Sequence, residues 1–445
     1  MLLYTRAANA RREQSVNETS SKSRMVENEI PPISETAVLV RLALPEHTDQ
    51  EVTESLDEMQ QLAWTAGANV IRTFVQRRTE PCAATLIGKG KVNEIKAAIE
   101  EGQCDLAIVD SDLTPTQGSN LGDIWKCKVV DRTQLILDIF AQRARTVEGK
   151  LQVELAQLEY SLPRLTGLRS KMMRQVGGIG VRGPGEQKLE VDRRVIRDRI
   201  VRLQNDLKTV RKRREIQRRR RSDGGIATVA LVGYTNAGKS SLLRALSGSE
   251  VFIEDKLFAT LDPCSRRCTL PSRREVVFTD TVGFIRALPH SLVAAFRATL
   301  EEINEADLLL MVLDSAHPAL EEHVRAVRDV LGEIEALGKP TLTVFNKSDV
   351  ANPDRVDQLM HETPDSVAIS ARTGAGIDAL LKVIDERLAM TRNRVTLRIP
   401  QSRAGLVSRL YDAGCVLSEN YDGDMIVLEA EVDADMEGQY TEFVA

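Results

Sequence analysis

Leu231-Val232-Gly233-Tyr234-Thr235-Asn236-Ala237-Gly238-Lys239-Ser240 has the spacing G-x-x-x-x-G-K-S, between an apolar run (Ile226 to Val232) and a helical pattern starting at Ser241. This is the strand–loop–helix context of a phosphate loop. Its glycines let backbone N–H groups turn inward around phosphate oxygens, and the helix adds its positive N-terminal end. In this frame Lys239 reaches the β- and γ-phosphates, the Ser240 hydroxyl ligates Mg²⁺, and Ser241 follows in the cradle.

The base is read from Asn346-Lys347-Ser348-Asp349, which follows the apolar run Leu342 to Phe345. It therefore falls at the carboxyl end of a strand, where open α/β sheets place ligands. An Asp349 carboxylate there accepts from both N1–H and the exocyclic amine of guanine. Adenine has no such amine and leaves the carboxylate unpaired, at a cost of about 1.5–3 kcal/mol. Lys347 is expected to cover the base with its stem, and Asn346 to tie neighbouring loops together. Ser370-Ala371-Arg372, after Val367 to Ile369, is placed to offer backbone contacts to the guanine carbonyl.

Two stretches complete the set. Asp280-Thr281-Val282-Gly283 ends the run Val276 to Phe278, suiting a carboxylate that holds Mg²⁺ through water and a glycine N–H on the γ-phosphate. Between it and the phosphate loop lies Phe258-Ala259-Thr260-Leu261-Asp262, where Thr260 is the candidate for the second Mg²⁺-ligating hydroxyl, on a loop ordered by γ-phosphate. Where many GTPases carry a water-orienting Gln, this chain has Phe284, which can neither donate to nor accept from water. Catalysis then rests on positioning and charge neutralisation by Lys239, Mg²⁺ and the Gly283 N–H, with slow intrinsic turnover. Asn236 has two readings of equal standing. Its amide oxygen, with loop carbonyls, suits a K⁺ ion near the phosphates, or it simply tolerates a left-handed backbone.

Length, at 445 residues, calls for two to four domains, and 42% hydrophobic with 28% charged residues marks a globular chain with ample core. No apolar run approaches the roughly 20 residues needed to cross a bilayer. The six cysteines are scattered, and Cys264 and Cys268 have no second pair to close a zinc site, so reduced thiols in a cytoplasm are expected. Residues 1–34 read as a disordered extension rich in Ser, Asn, Glu and Arg. Over residues 35–132, strand-like runs (Val38 to Leu44, Val70 to Val75, Leu106 to Val109, Val129 to Val130) alternate with helical patterns, which predicts a small parallel α/β domain.

Residues 133–223 read as an arm. Phe140, Ala144, Val147, Leu151, Leu155, Leu158 and Leu162 mark one face of a helix, and Leu189, Ile196, Ile200, Leu203, Leu207 and Val210 mark another. Two such helices bury their stripes together as an antiparallel coiled coil. The loop between them carries Arg164, Arg169, Lys171, Arg174 and Arg182 with no acidic residue from Ser161 to Gly185, against a net charge of only −5 for the chain. A rigid arm ending in a flexible cationic loop fits contact with an RNA phosphate backbone. Residues 224–391 form the nucleotide domain, a mixed sheet flanked by helices, and residues 392–445 read as a small α+β domain with a hairpin turn at Asp422-Gly423.

The order of these motifs looks like a translation-factor-class GTPase. With Gly177-Gly178-Ile179-Gly180-Val181-Arg182-Gly183-Pro184-Gly185-Glu186 as the most specific signature, the chain from about Val38 onward resembles the HflX family of ribosome-associated GTPases. That resemblance implies GTP hydrolysis to GDP and phosphate, binding to the large (50S) ribosomal subunit and its rRNA, and separation of stalled ribosomes under stress. The expected protein is cytoplasmic and monomeric, with Mg²⁺ as cofactor. The rival readings are a ribosome-biogenesis checkpoint GTPase and a membrane-peripheral regulator whose basic arm binds anionic lipid.

Overall fold

The structure, a computed structural model, describes residues 35–165, 184–222, 226–248, 257–258, 260–286, 300–390, 393–412, 416–432 and 440–445. The expected extension over residues 1–34 and the arm tip over residues 166–183 lie outside them.

The amino-terminal unit is an all-parallel sheet of β1 (Glu35–Ala43), β2 (Ala68–Arg77), β3 (Leu106–Val109) and β4 (Lys128–Asp131), in the order β2-β1-β3-β4. Helices α1 (Asp49–Ala66) and α4 (Arg132–Arg143) cover one face, and α2 (Lys89–Gly102) and α3 (Pro115–Trp125) the other. The alternation of apolar runs predicts the parallel strands with α1 and α2. Helix α4, which takes in the residues read as the start of the arm from 133, packs on this sheet instead through Leu135, Ile136, Ile139 and Phe140. Helix α3 has no apolar run to mark it. That helix announces itself only by its start: Thr114 and Gln117 close a capping box, with Pro115 at the first helical position.

The stripe from Phe140 to Leu162 predicts one helix, and the structure has two. Helix α4 stops at Arg143, the chain extends through Ala144, and α5 (Val147–Arg164) restarts with the Thr146 hydroxyl accepting from the Gly149 N–H. Phe140 and Ala144 belong to the core of the first sheet, while Val147, expected on the buried stripe, is exposed as the first residue of a new helix. The partner helix α6 (Pro184–Ser222) has 39 residues, about 58 Å at 1.5 Å per residue. Leu155, Leu203 and Leu207 make the seam, and Arg199 grips Glu154 at 2.7 and 2.9 Å.

The central unit has β5 (Ala227–Val232), β6 (Cys264–Thr269), β7 (Glu275–Asp280), β8 (Leu308–Asp314), β9 (Thr341–Asn346) and β10 (Ser366–Ala368), in the order β10-β9-β8-β5-β7-β6. Only β6 is antiparallel, so the sheet is mixed. Strand β6, with arginines between its two cysteines, is a polar edge strand and carries no apolar run to betray it. Helices α7 (Lys239–Ser247) and α10 (Ile377–Met390) pack on one face, and α8 (Leu320–Glu333) packs on the other. Helix α9 (Pro353–Glu362) precedes β10. A three-stranded antiparallel sheet, β11 (Asn393–Pro400), β13 (Met425–Val432) and β12 (Val416–Asp422), with helix α11 (Ala404–Asp412), ends the chain. Gly423 turns its hairpin at φ +61°.

Candidate functional site: a phosphate loop at the carboxyl edge of the central sheet

Strands β5, β7, β8 and β9 run parallel, so the segments following them open at one edge. Gly233 leaves β5 at φ +154°, where a Cβ would come 2.2 Å from the Val312 carbonyl oxygen, and Gly238 enters α7 at φ +93°, where a Cβ would come 2.2 Å from the Asn346 amide nitrogen. A side chain at either glycine would collide with fixed groups, which explains both positions of the motif. Asn236 sits between them, exposed and left-handed at φ +59°.

Lys239 opens α7 and is almost wholly buried. Its ammonium donates to the carbonyls of Gly233 (3.0 Å) and Tyr234 (2.8 Å). Burial pulls its pKa down to about 8, against the opposing pull of the Asp280 carboxylate. Gly283 lies close by: an added Cβ would come 3.1 Å from Lys239 Nζ and 2.9 Å from Thr235 Cα.

Ser240, Thr260 and Asp280 come together from α7, the loop before β6, and the end of β7. Asp280 Oδ2 accepts from Ser240 Oγ at 2.7 Å and from Thr260 Oγ1 at 2.8 Å, and the two hydroxyls stand 2.8 Å apart. Burial raises the Asp280 pKa, partly offset by Lys239 and the two hydroxyls. Asp280 Oδ1 is buried with no hydrogen-bond partner among the described residues. Two hydroxyls and a carboxylate with a bare oxygen form a hard-oxygen donor set, which fits Mg²⁺.

Asn346 ties the loops as its sequence position leads one to expect: Nδ2 donates to the Ala237 carbonyl (2.9 Å) and Oδ1 accepts from the Ala371 N–H (3.0 Å). The Ser348 N–H reaches the Ile369 carbonyl at 3.1 Å. Asp349 accepts from Ser370 Oγ at 2.7 Å and pairs with Arg372, and the Ser370 bond chiefly holds its pKa below the usual range. Lys347, left-handed at φ +64°, pairs its ammonium with Asp314 Oδ2 at 2.7 Å. Asp314 carries no sequence signal beyond ending a strand.

Several motif side chains turn away from this edge. Phe258 stacks edge-on against Phe140 at 4.7 Å, Leu261 joins the amino-terminal core, and Val282 packs with them. Thr281 donates to the Leu231 carbonyl at 2.7 Å. Phe284, in the Gln position, is buried among Val232, Leu300 and Leu309, so its ring fills core and faces no water. The Asp262 carboxylate, expected beside the nucleotide, instead faces the start of α5. For these residues only the backbone is left to face a ligand. Ala259 lies outside the described residues.

Tyr234 likewise points out of the loop. Its hydroxyl donates to Glu58 on α1 and accepts from the Arg286 N–H at 2.7 Å, while its ring stacks on His323 at 3.7 Å. Arg132 joins Glu58 to Asp110 (2.9 Å) and to the Arg286 carbonyl (2.8 Å). Sequence reading misses Glu58, Arg132 and Arg286, because each is an ordinary charged residue until distant elements meet. Of the cationic set on the arm, Arg164 is corrected. Its guanidinium lies 3.5 Å over the Tyr160 ring and donates to the Leu113 carbonyl (2.7 Å) and Asp131 (3.1 Å), committed to the protein body. Arg169, Lys171, Arg174 and Arg182 lie outside the described residues.

Four family models match in succession: GTP-binding GTPase N-terminal over residues 53–141, GTP-binding GTPase middle region over 143–221, 50S ribosome-binding GTPase over 228–347, and HflX C-terminal domain over 356–438. A GTPase HflX of Caldanaerobacter subterraneus is 46% identical over 410 residues, 92% of this chain and 94% of that one. A GTPase HflX of Escherichia coli is 45% identical over 387 residues, 86% of this chain and 90% of its own. A solved GTP-binding protein from Sulfolobus solfataricus in complex with GDP aligns with 80% of this chain and 99% of its own, at 26% identity and a TM-score of 0.42.

Proposed function

This chain belongs to the HflX family of GTPases, and on that premise we propose that it is a Mg²⁺-dependent GTPase that docks a basic helical arm on the large ribosomal subunit and separates stalled ribosomes. The convergence of Ser240, Thr260 and Asp280 beside the Lys239 ammonium carries the nucleotide part of this reading. Gly233 to Ser241 cradle the phosphates, Asp349 selects guanine, and the Ala371 and Arg372 backbone faces the base. Ser240 and Thr260 would hold Mg²⁺ directly and Asp280 through water, where the ion would neutralise phosphate charge. Lys239 and the Gly283 N–H hold the γ-phosphoryl group. Phe284 supplies no water-orienting group, so intrinsic turnover is slow and the partner accelerates it.

The ribosomal part rests on the kinship and on the cationic stretch Arg169, Lys171, Arg174 and Arg182 at the end of a long helical pair. Among the described residues no helix is long and apolar enough to cross a membrane. Sedimentation of intact ribosomes with the protein and a non-hydrolysable GTP analogue tests the reading. Free subunits are the expected result; protein travelling only with immature particles would move the reading to a biogenesis checkpoint.

Two further outcomes are expected here. Bound phosphates favour a charged Lys239, whereas burial in the free protein lowers its pKa to about 8. Below that value the lysine is already charged and GTP affinity is flat with pH. Above it, binding must take up a proton, so affinity falls by up to about tenfold per unit. Calorimetry across pH 7 to 10 reads this directly, and a flat profile contradicts it. A K⁺ ion at Asn236 predicts faster hydrolysis in potassium than in sodium buffer, abolished by Asn236→Ala; equal rates leave Asn236 as a left-handed loop residue only.

A further inference from the structure

The loop carrying Thr260 is anchored at two ends. Thr260 sits against Ser240 and Asp280, and two residues on, Asp262 spends its carboxylate on the break between α4 and α5. Its Oδ2 accepts from the backbone N–H groups of Arg145 and Thr146, both at 2.8 Å, and its Oδ1 accepts from Thr146 Oγ1 at 2.5 Å. Thr146 is also the residue that caps α5, the first helix of the arm. Gly149, the third residue of that helix, leaves the space Asp262 occupies: a Cβ there would land on Asp262 Oδ1. Phe258 and Leu261 pack into the amino-terminal core beside Phe140 and Ala144, so the same loop lies along the break by apolar contact as well.

We propose that Asp262 is a positioning residue that latches the Thr260 loop to the root of the helical arm, so that seating Thr260 and setting the α4–α5 break are one event. With one residue between them, Thr260 cannot leave Ser240 and Asp280 far without drawing Asp262 from Arg145 and Thr146. A ligand that needs Thr260 in place therefore favours the closed latch, and the latch favours that ligand to the same degree. This rests on the reading of Thr260 as the γ-phosphate-dependent Mg²⁺ ligand. It extends that reading to a specific route by which nucleotide state reaches the arm.

The test uses the full chain and compares affinity for a non-hydrolysable GTP analogue with affinity for GDP, which does not call on Thr260. Asp262→Ala lowers the analogue-to-GDP affinity ratio by about 5- to 150-fold, the range of ordinary coupling between sites, with GDP affinity unchanged. Asp262→Asn, which keeps one acceptor oxygen, falls between. Gly149→Ala is the decisive variant. It leaves every loop residue intact and favours helix, yet it evicts the carboxylate, so the same fall is expected. A second readout is independent of affinity: hydrogen exchange at the Arg145 and Thr146 amides is slow with the analogue and fast with GDP. If Thr260→Ala leaves the ratio unchanged, the reading of Thr260 fails. If Thr260→Ala lowers it while Asp262→Ala and Gly149→Ala do not, or the two amides exchange alike with both nucleotides, the latch is overturned.

Discussion

Replacing Lys239 with alanine is expected to slow GTP hydrolysis about a hundred- to a thousandfold, the usual loss when one preorganised donor to a developing charge is removed. The ammonium is nearly sealed from solvent and held 2.8 and 3.0 Å from two loop carbonyls, in the concavity that phosphates are proposed to enter. Water cannot substitute there at equal strength, because charge interactions weaken as the dielectric rises. Alanine also removes one of two donors from each of the Gly233 and Tyr234 carbonyls, which keep the Phe284 N–H (3.1 Å) and the Ala237 N–H (3.3 Å), so each lost bond costs about 0.5–1.5 kcal/mol. The melting temperature should therefore fall too, and single-turnover rates well below the melt are the proper measurement. Lys239→Arg is expected to fail despite keeping its charge. Gly283 closes to 3.1 Å of Nζ measured from its would-be Cβ, which leaves no room for a guanidinium. A rate within tenfold of the parent for Lys239→Ala would remove this residue from the mechanism.

The second large effect is on the base. Asp349→Asn is expected to weaken GTP binding about tenfold to a hundredfold, the value of a hydrogen bond to a charged group. It is also expected to improve binding of xanthosine triphosphate, whose second carbonyl can accept from the new amide. Each carboxylate oxygen has two acceptor sites, so the bonds from Ser370 (2.7 Å) and Arg372 leave capacity for guanine N1–H and the exocyclic amine. ATP should gain nothing, since adenine offers neither the amine that Asp349 wants nor the carbonyl that asparagine wants. Titration calorimetry with the three nucleotides separates these outcomes. Equal weakening toward GTP and the xanthine nucleotide would mean that Asp349 only braces the loop with Ser370 and Arg372.

Both predictions concern residues that can be picked out by eye in the chain, and there is a reason. Gly233, Gly238 and Gly283 answer close approaches of the backbone, and Lys239, Asp280, Asn346 and Asp349 stand beside them at successive strand ends, so together they leave short, spaced signatures. Local signals also mark the apolar strands β1, β3, β5, β8 and β9, the hairpin at Asp422-Gly423, and the seam of Leu155 with Leu203 and Leu207. What eludes sequence reading has polar or shared signals. Strand β6 is an edge of arginines and cysteines; α3 has a short apolar face; and the break at Ala144 to Thr146 hides inside an unbroken helical period.

From the order of its residues alone, then, this chain declares a phosphate loop, an Asn-Lys-x-Asp stretch at a strand end, the apolar strands of its sheets and a cationic stretch between two helical patterns, because each rests on signals written within a few consecutive positions. Only the tertiary structure decides that Tyr234 reaches Glu58, that Phe284 fills core, that Arg164 turns inward, and that Asp262 faces Arg145 and Thr146. The polar contacts of Arg164 with Asp131, Asp262 with Thr146 and Tyr234 with Glu58 join residues 33, 116 and 176 positions apart. A carboxylate or a tyrosine hydroxyl has no preferred partner until folding brings one within about 3 Å.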